Sequence, residues 1–181
     1  MRKFLLALTD ARIKAVLAVL QASGSCLGDL AGKPGTAPVF FRPLRAGLRR
    51  AASASPPSSP AAAQALAAAE EFAARLEKFF SELALHRTPP DTAAMETLLR
   101  LQHACARAPE LLSPGGRARA ASEIRGLAAG AHKSLALARA AACASTSDFP
   151  LNLKFSSIYS GLDAIFDAYE RCAEALFSAD G

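Results

Sequence analysis

The chain has 181 residues, of which 51% are hydrophobic, so it holds one domain with appendages and enough apolar side chains for a core; wholesale disorder is excluded. It has no Trp and two Tyr, helix formers dominate, and β-branched residues are few, a composition that favours an all-α fold. The formal net charge of +5 is uneven: residues 1–69 hold nine Lys or Arg against Asp10 and Asp29, a net of +7, whereas residues 70–181 hold twelve against fourteen Asp or Glu, a net of −2. Such asymmetry points to an N-terminal arm that meets something acidic, or to a targeting segment.

The first predicted element is a helix over 3–22, with Leu6, Ile13, Val16 and Leu20 on one face, Leu17 and Val19 widening it, and Gly24 as its end. Asp10, Arg12 and Lys14 interrupt its apolar run, so no membrane span is expected. The stretch reads both as an amphipathic helix packed on the rest of the protein and, being basic and almost free of acid up to Glu70, as an organellar presequence, a reading that leaves open whether residues 1–50 persist.

Residues 23–58 are predicted to be irregular. Within them, PVFFRPLRAGLRR reads as an extended, basic arm in which Phe40 and Phe41, flanked by Pro38 and Pro43, pin the chain to a hydrophobic groove, with Arg42, Arg45, Arg49 and Arg50 beside them. The low-complexity stretch 49–63 is the predicted linker. It divides the chain into an N-terminal helix plus arm (1–58) and a helical bundle (59–181). Ser53, Ser55 and Ser59 are candidate phosphorylation sites in that linker.

Four further helices follow. Ser59 and Pro60 start the first, which has a heptad seam of Leu66, Ala69, Ala73, Leu76, Phe80 and Leu83 and stops near Arg87. The second starts at Asp91, carries Met95, Leu98, Leu101 and Cys105, and ends before Pro109. After the turn LLSPGG the third is expected to begin with Ser113 as its cap and to run to about Ala142, on Ile124, Ala128, Ala131, Leu135 and Ala138. Residues 145–152 are a predicted loop, and the last helix begins near Leu153 with Phe155, Ile158, Leu162, Ile165, Tyr169, Cys172 and Leu176 as its core face. Short connections make these four an up-down-up-down four-helix bundle, to which the N-terminal amphipathic helix and the irregular basic arm are added.

The sequence offers no catalytic constellation. No two of the four cysteines are closer than 29 residues, which excludes a CxxC zinc knuckle and a dense disulfide framework; free thiols fit an intracellular, reducing compartment, and a leader of this type would address a mitochondrion or plastid. A di-iron bundle needs Glu-x-x-His, but Glu82 and His86 are four apart, and neither His103 nor His132 has a Glu three residues earlier. SPGGRARA lacks the phosphate-loop spacing. Catalytic, cofactor-binding and metal-binding residues are therefore assigned as none, and the chain is expected not to be an enzyme. Arg125, His132 and Arg139 recur at steps of seven as a basic flank, read as solvated. Asp163, Asp167, Glu170 and Glu174 form an acidic stripe on the outer face of the last helix, a surface for the basic arm or for a basic partner.

SEIRGLAAGAHKSLALARAA (122–141) and KFSSIYSGLDAIF (154–166) are similar to the last two helices of the PsbQ-type extrinsic subunits of photosystem II, whose layout of a basic, proline-bearing arm before a bundle this chain also resembles. The resemblance implies an extrinsic photosystem subunit and transfers no site residue. Taken from the residues themselves, the leading expectation is an accessory or scaffold subunit that binds other protein subunits through Phe40, Phe41, the four arm arginines and the acidic stripe. The alternatives are an RNA-associated subunit using the arm, where phosphate contacts combine with stacking, and a carrier of a small hydrophobic ligand among Phe72, Phe79, Phe80, Phe155 and Phe166.

Overall fold

A computed structural model describes residues 10–54, 59–144 and 149–179. Leu6, Ser55 and residues 145–148 of the expected loop lie outside this set. Among the described residues the chain is all-α, as its composition predicts, with six helices: α1 (Ala11–Gly32), α2 (Ala37–Ala54), α3 (Pro60–His86), α4 (Thr92–Arg107), α5 (Arg117–Ala144) and α6 (Phe149–Ser178). Short 3-10 turns at Pro34–Thr36 and Ala108–Leu112 join α1 to α2 and α4 to α5.

α1 runs through Gly24 and ends eight residues beyond it, at Gly32, because its apolar face continues: Ile13, Val16, Leu20, Leu27 and Leu30 are all buried. Gly24 serves close packing instead of termination. A β-carbon placed on it would sit 2.8 Å from Cys105 Cβ, so α4 could not approach α1 as it does if the residue were larger. By length and composition α1 is also apolar enough to cross a membrane, which the shorter predicted helix was not. In this fold its apolar face packs on α3 and α4.

The extended arm is corrected to a helix. In α2, Ala37, Phe41, Leu48 and Ala51 recur at helical spacing and are buried, and that face outweighs the two prolines that suggested an extended strand. Pro43 lies within α2 but on its exposed side, and Val39, whose carbonyl loses its intrahelical donor there, is exposed as well. Arg12, itself buried, donates from its guanidinium to the Ala52 carbonyl (2.8 Å) and fastens the start of α1 to the end of α2.

α3 begins as predicted: the Ser59 hydroxyl accepts from the Ala62 N–H, Pro60 occupies the first turn, and the whole heptad seam is buried. Arg87 closes the helix in the left-handed region (φ 48°). Asp91 caps α4 through Ala94 N–H, and the same carboxylate accepts from the Tyr159 hydroxyl at 2.5 Å, which ties the first turn of α4 to α6. Two expectations fail at boundaries. Ser113 is not a side-chain cap for α5; the chain makes a further turn through Gly115 and Gly116, with Gly116 and Arg117 N–H on the Ser113 carbonyl. α6 begins at Phe149, so residues 149–152 are helical.

The four expected helices are present, but α3 and α4, although consecutive, hardly touch. α1 fills the place between them, so the packing runs α3–α6–α5–α4–α1 and back to α3, with α2 laid over α3 and α1. Tyr169 lies at the centre, packed on Phe72 (ring centroids 5.7 Å) and donating its hydroxyl to the Ala104 carbonyl. Residues from α1 and α2 belong to the same hydrophobic core as those of α3–α6.

Candidate functional site

The arm residues are drawn inward. Phe41 is fully buried, with Phe40 half-buried against it edge-to-face at 5.0 Å. Arg45 pairs with Glu77 (2.9 Å) and Arg49 approaches Glu70 (3.8 Å), both on α3. The arm's cations therefore meet carboxylates of α3, not the acidic stripe of α6. Arg42 and Arg50 are exposed.

The acidic stripe is not an isolated outer face. α5 packs along α6, and the flank bearing His132 and Arg139 lies against it. His132 Nδ1 is 2.5 Å from Asp163 Oδ1; Nε2 is 3.1 Å from Glu170 Oε2 and 3.8 Å from Asp167 Oδ1. Arg139 binds the other oxygen of Asp163 at 3.1 Å. Asp163 and Glu170 are half-buried, whereas Asp167 and Glu174 are exposed. The two carboxylates raise the His132 pKa against the opposing effect of burial, which is the largest single influence and lowers it. The basic flank and the stripe thus complement each other across one helix pair. Each was legible as a periodic row; their mutual register was the missing piece.

Two surface features escaped the sequence reading. Between the end of α3 and the start of α6 lies a groove of about 200 Å³, lined by Phe79, Leu83, His86, Leu153, Ser157 and Ile158 among others. Of its lining, Leu153 is 61% exposed, and the same two helices carry exposed Leu85 (77%) on α3 and Phe149 (75%) at the start of α6. Phe149, Leu153 and Ser157 are four residues apart and so follow one line along α6. Its polar lining includes Glu82, His86 and Lys154; Glu82 is approached by Lys78 at 3.8 Å, whereas Lys154 forms no ion pair among the described residues. The signal available beforehand was Phe149 and Leu151, hydrophobic residues in a stretch read as a loop.

The second feature is a groove of about 360 Å³ between α5 and α6, bounded by Leu111, Ile124, Arg125, Glu170, Glu174 and Phe177. Arg117 stacks on the Phe177 ring at 4.3 Å. Of the five rings suggested as a ligand pocket, Phe79 lines the groove between α3 and α6. Phe72, Phe80 and Phe166 are fully buried in the common core, and Phe155 stacks on Tyr159 at 6.2 Å.

Of the thiols, Cys105 and Cys172 are buried and Cys26 is half-buried; burial pushes Cys26 and Cys172 up to about 12 and Cys105 higher still. Cys143 is exposed. No protein-family model matches the chain, and no curated protein or solved structure matches it either, so the PsbQ-type similarity rests on residues 122–141 and 154–166 alone.

Proposed function

We propose that the chain is a non-enzymatic helical-bundle subunit that works by protein–protein contact, with the groove between α3 and α6 as its docking surface. The observation that carries this reading is a groove lined by Phe79, Leu83, Ile158 and Leu153, the last 61% exposed, with exposed Phe149 one turn before Leu153 on α6. Large apolar side chains left in water beside a groove gain from a partner that covers them: about 1.5–3 kcal/mol is recovered for each one fully buried. A groove between two antiparallel helices accepts a third helix, whose apolar anchors at i, i+3, i+4 and i+7 enter it. Glu82 in the lining has Lys78 beside it, whereas Lys154 forms no ion pair among the described residues, so a carboxylate on the incoming helix is favoured and the partner is an acidic amphipathic helix of another subunit. The arm is less suited to the role, because Phe41 is buried and Arg45 and Arg49 face Glu77 and Glu70.

The test uses the full chain and a fluorescent helical peptide with Leu at i, i+3, i+4 and i+7 and Glu elsewhere. Saturable binding is expected, weakened about ten-fold or more by Leu153→Ser, a loss of about 1.4 kcal/mol. It should also be lost when the peptide's Glu residues become Lys. Equal binding of both peptides, or indifference to Leu153→Ser, rejects the reading. Salt-dependent binding of an RNA oligomer that disappears on Arg42→Glu and Arg50→Glu would favour the arm and a nucleic-acid role instead.

A further inference from the structure

We propose that His132, Asp167 and Glu170 form a binding site for a divalent transition-metal ion of the Zn²⁺ class, on the α5–α6 seam and separate from the docking groove. The site joins two helices: His132 from α5 and, one turn apart on α6, Asp167 and Glu170. Each offers one donor atom, and the three donors lie within 4.8 Å of one another.

Three features of the geometry fit an ion. The first is spacing. A tetrahedral Zn²⁺ with bonds of about 2.0–2.1 Å holds its ligand atoms about 3.3 Å apart. The His132 Nε2 distances to Glu170 Oε2 and Asp167 Oδ1, 3.1 and 3.8 Å, fall on either side of that edge.

The second is orientation. Asp163 Oδ1 stands 2.5 Å from Nδ1, so with the proton held there Nε2, which otherwise contacts Glu170 Oε2, gives up its own proton and turns its lone pair to an ion seated between it and the two other carboxylates. A ligating histidine held through its far nitrogen by a carboxylate is the usual outer arrangement of zinc sites. Arg139 neutralises Asp163 from behind, so this orienting carboxylate adds no net charge.

The third is charge. Among the described residues no Lys or Arg lies within ion-pair distance of Asp167 or Glu170; His132 is the basic group that does, with Arg125 further along the same groove. Two anions around a neutral imidazole balance one divalent cation. Ions that prefer six or more oxygen ligands, such as Ca²⁺ and Mg²⁺, are served poorly by one nitrogen and two carboxylates. The exposed Asp167 leaves the fourth position open to water. A site with three protein ligands and one water is able to bridge to a ligand from a partner as well as to lock α5 onto α6.

The experiment is calorimetric titration of the reduced, metal-free full chain with ZnCl₂ and, separately, MgCl₂, followed by the absorption spectrum of the Co²⁺-substituted protein. Expected are one equivalent of Zn²⁺, no comparable uptake of Mg²⁺, and a tetrahedral Co²⁺ spectrum without a thiolate-to-metal band. His132→Ala and the isosteric Glu170→Gln should each lower Zn²⁺ affinity by at least about ten-fold, with far-UV circular dichroism unchanged for the latter. Absence of saturable Zn²⁺ binding overturns the proposal. So does binding that survives Glu170→Gln, or a thiolate band that assigns the ion to Cys143.

Discussion

Gly24 and Cys105 bring α1 and α4 so close that a β-carbon on Gly24 would lie 2.8 Å from that of Cys105. Both atoms are fixed to their backbones, so no rotamer change relieves the clash, and the helices must move apart. Gly24→Ala is expected to destabilise the fold by about 1–3 kcal/mol. One turn further along the same helix, Gly28 has nothing within 4 Å of such an atom. Gly28→Ala should therefore stabilise by about 0.5–1 kcal/mol, through the ordinary helix preference for alanine. Urea denaturation of the two variants reads opposite signs; equal signs would mean that the α1–α4 approach is not as described.

The standing of α2 as part of the core, not a free arm, has its own test. Phe41→Ala removes a fully buried ring and should cost about 3–5 kcal/mol. Arg42→Glu with Arg50→Glu, at exposed positions on the same helix, should stay within about 0.5 kcal/mol for each change. Equilibrium unfolding followed by circular dichroism separates the two outcomes. If both are neutral, α2 does not contribute to the core.

Thiol reactivity follows burial. Cys26, Cys105 and Cys172 are held protonated by desolvation, while Cys143 is open to solvent near the end of α5. Because the thiolate is the nucleophile, a short treatment of the native protein with iodoacetamide should modify Cys143 first. Peptide mass mapping checks this, and denaturation should release the other three together.

Glu71 accepts from Arg75 on its own helix (2.7 Å) and from Arg171 on α6 (2.8 Å), and these partners, Arg75 first, lower its pKa in the folded protein. A group whose folded pKa is depressed contributes stability above its unfolded value, near 4.3, and loses it as the pH falls through the folded value. The wild type should therefore exceed Glu71→Gln in stability at neutral pH. The gap should close as the pH is lowered below about 4. A gap independent of pH would locate the effect of the substitution outside this carboxylate's ionisation.

Much of the fold was legible because periodicity is local. The α3 seam from Leu66 to Leu83 and the α6 seam from Ile158 to Leu176 are buried as their three- and four-residue steps require. α2 is hidden in the sequence because Pro38 and Pro43 mask the helical spacing of Phe41, Leu48 and Ala51, yet Pro43 costs little on a solvent face. α1 was cut short at Gly24 because a glycine that ends a helix and one that admits a neighbouring helix look alike in sequence. The His132 cluster could not be read at all from spacing, since its members lie on separate helices. Only the register of α5 against α6 brings Asp163 and Glu170 to the imidazole. The groove beside Leu153 depended in turn on α6 starting at Phe149.

The central claim, that the chain acts through the groove between α3 and α6, is tested most directly by amide chemical-shift mapping. The isotope-labelled full chain is titrated with the Leu- and Glu-faced helical peptide. The account predicts shifts concentrated in residues 79–88 and 149–158, and none when the peptide's Glu residues are replaced by Lys. Shifts clustered around Arg42 and Arg50, or no saturable shifts at all, would contradict it.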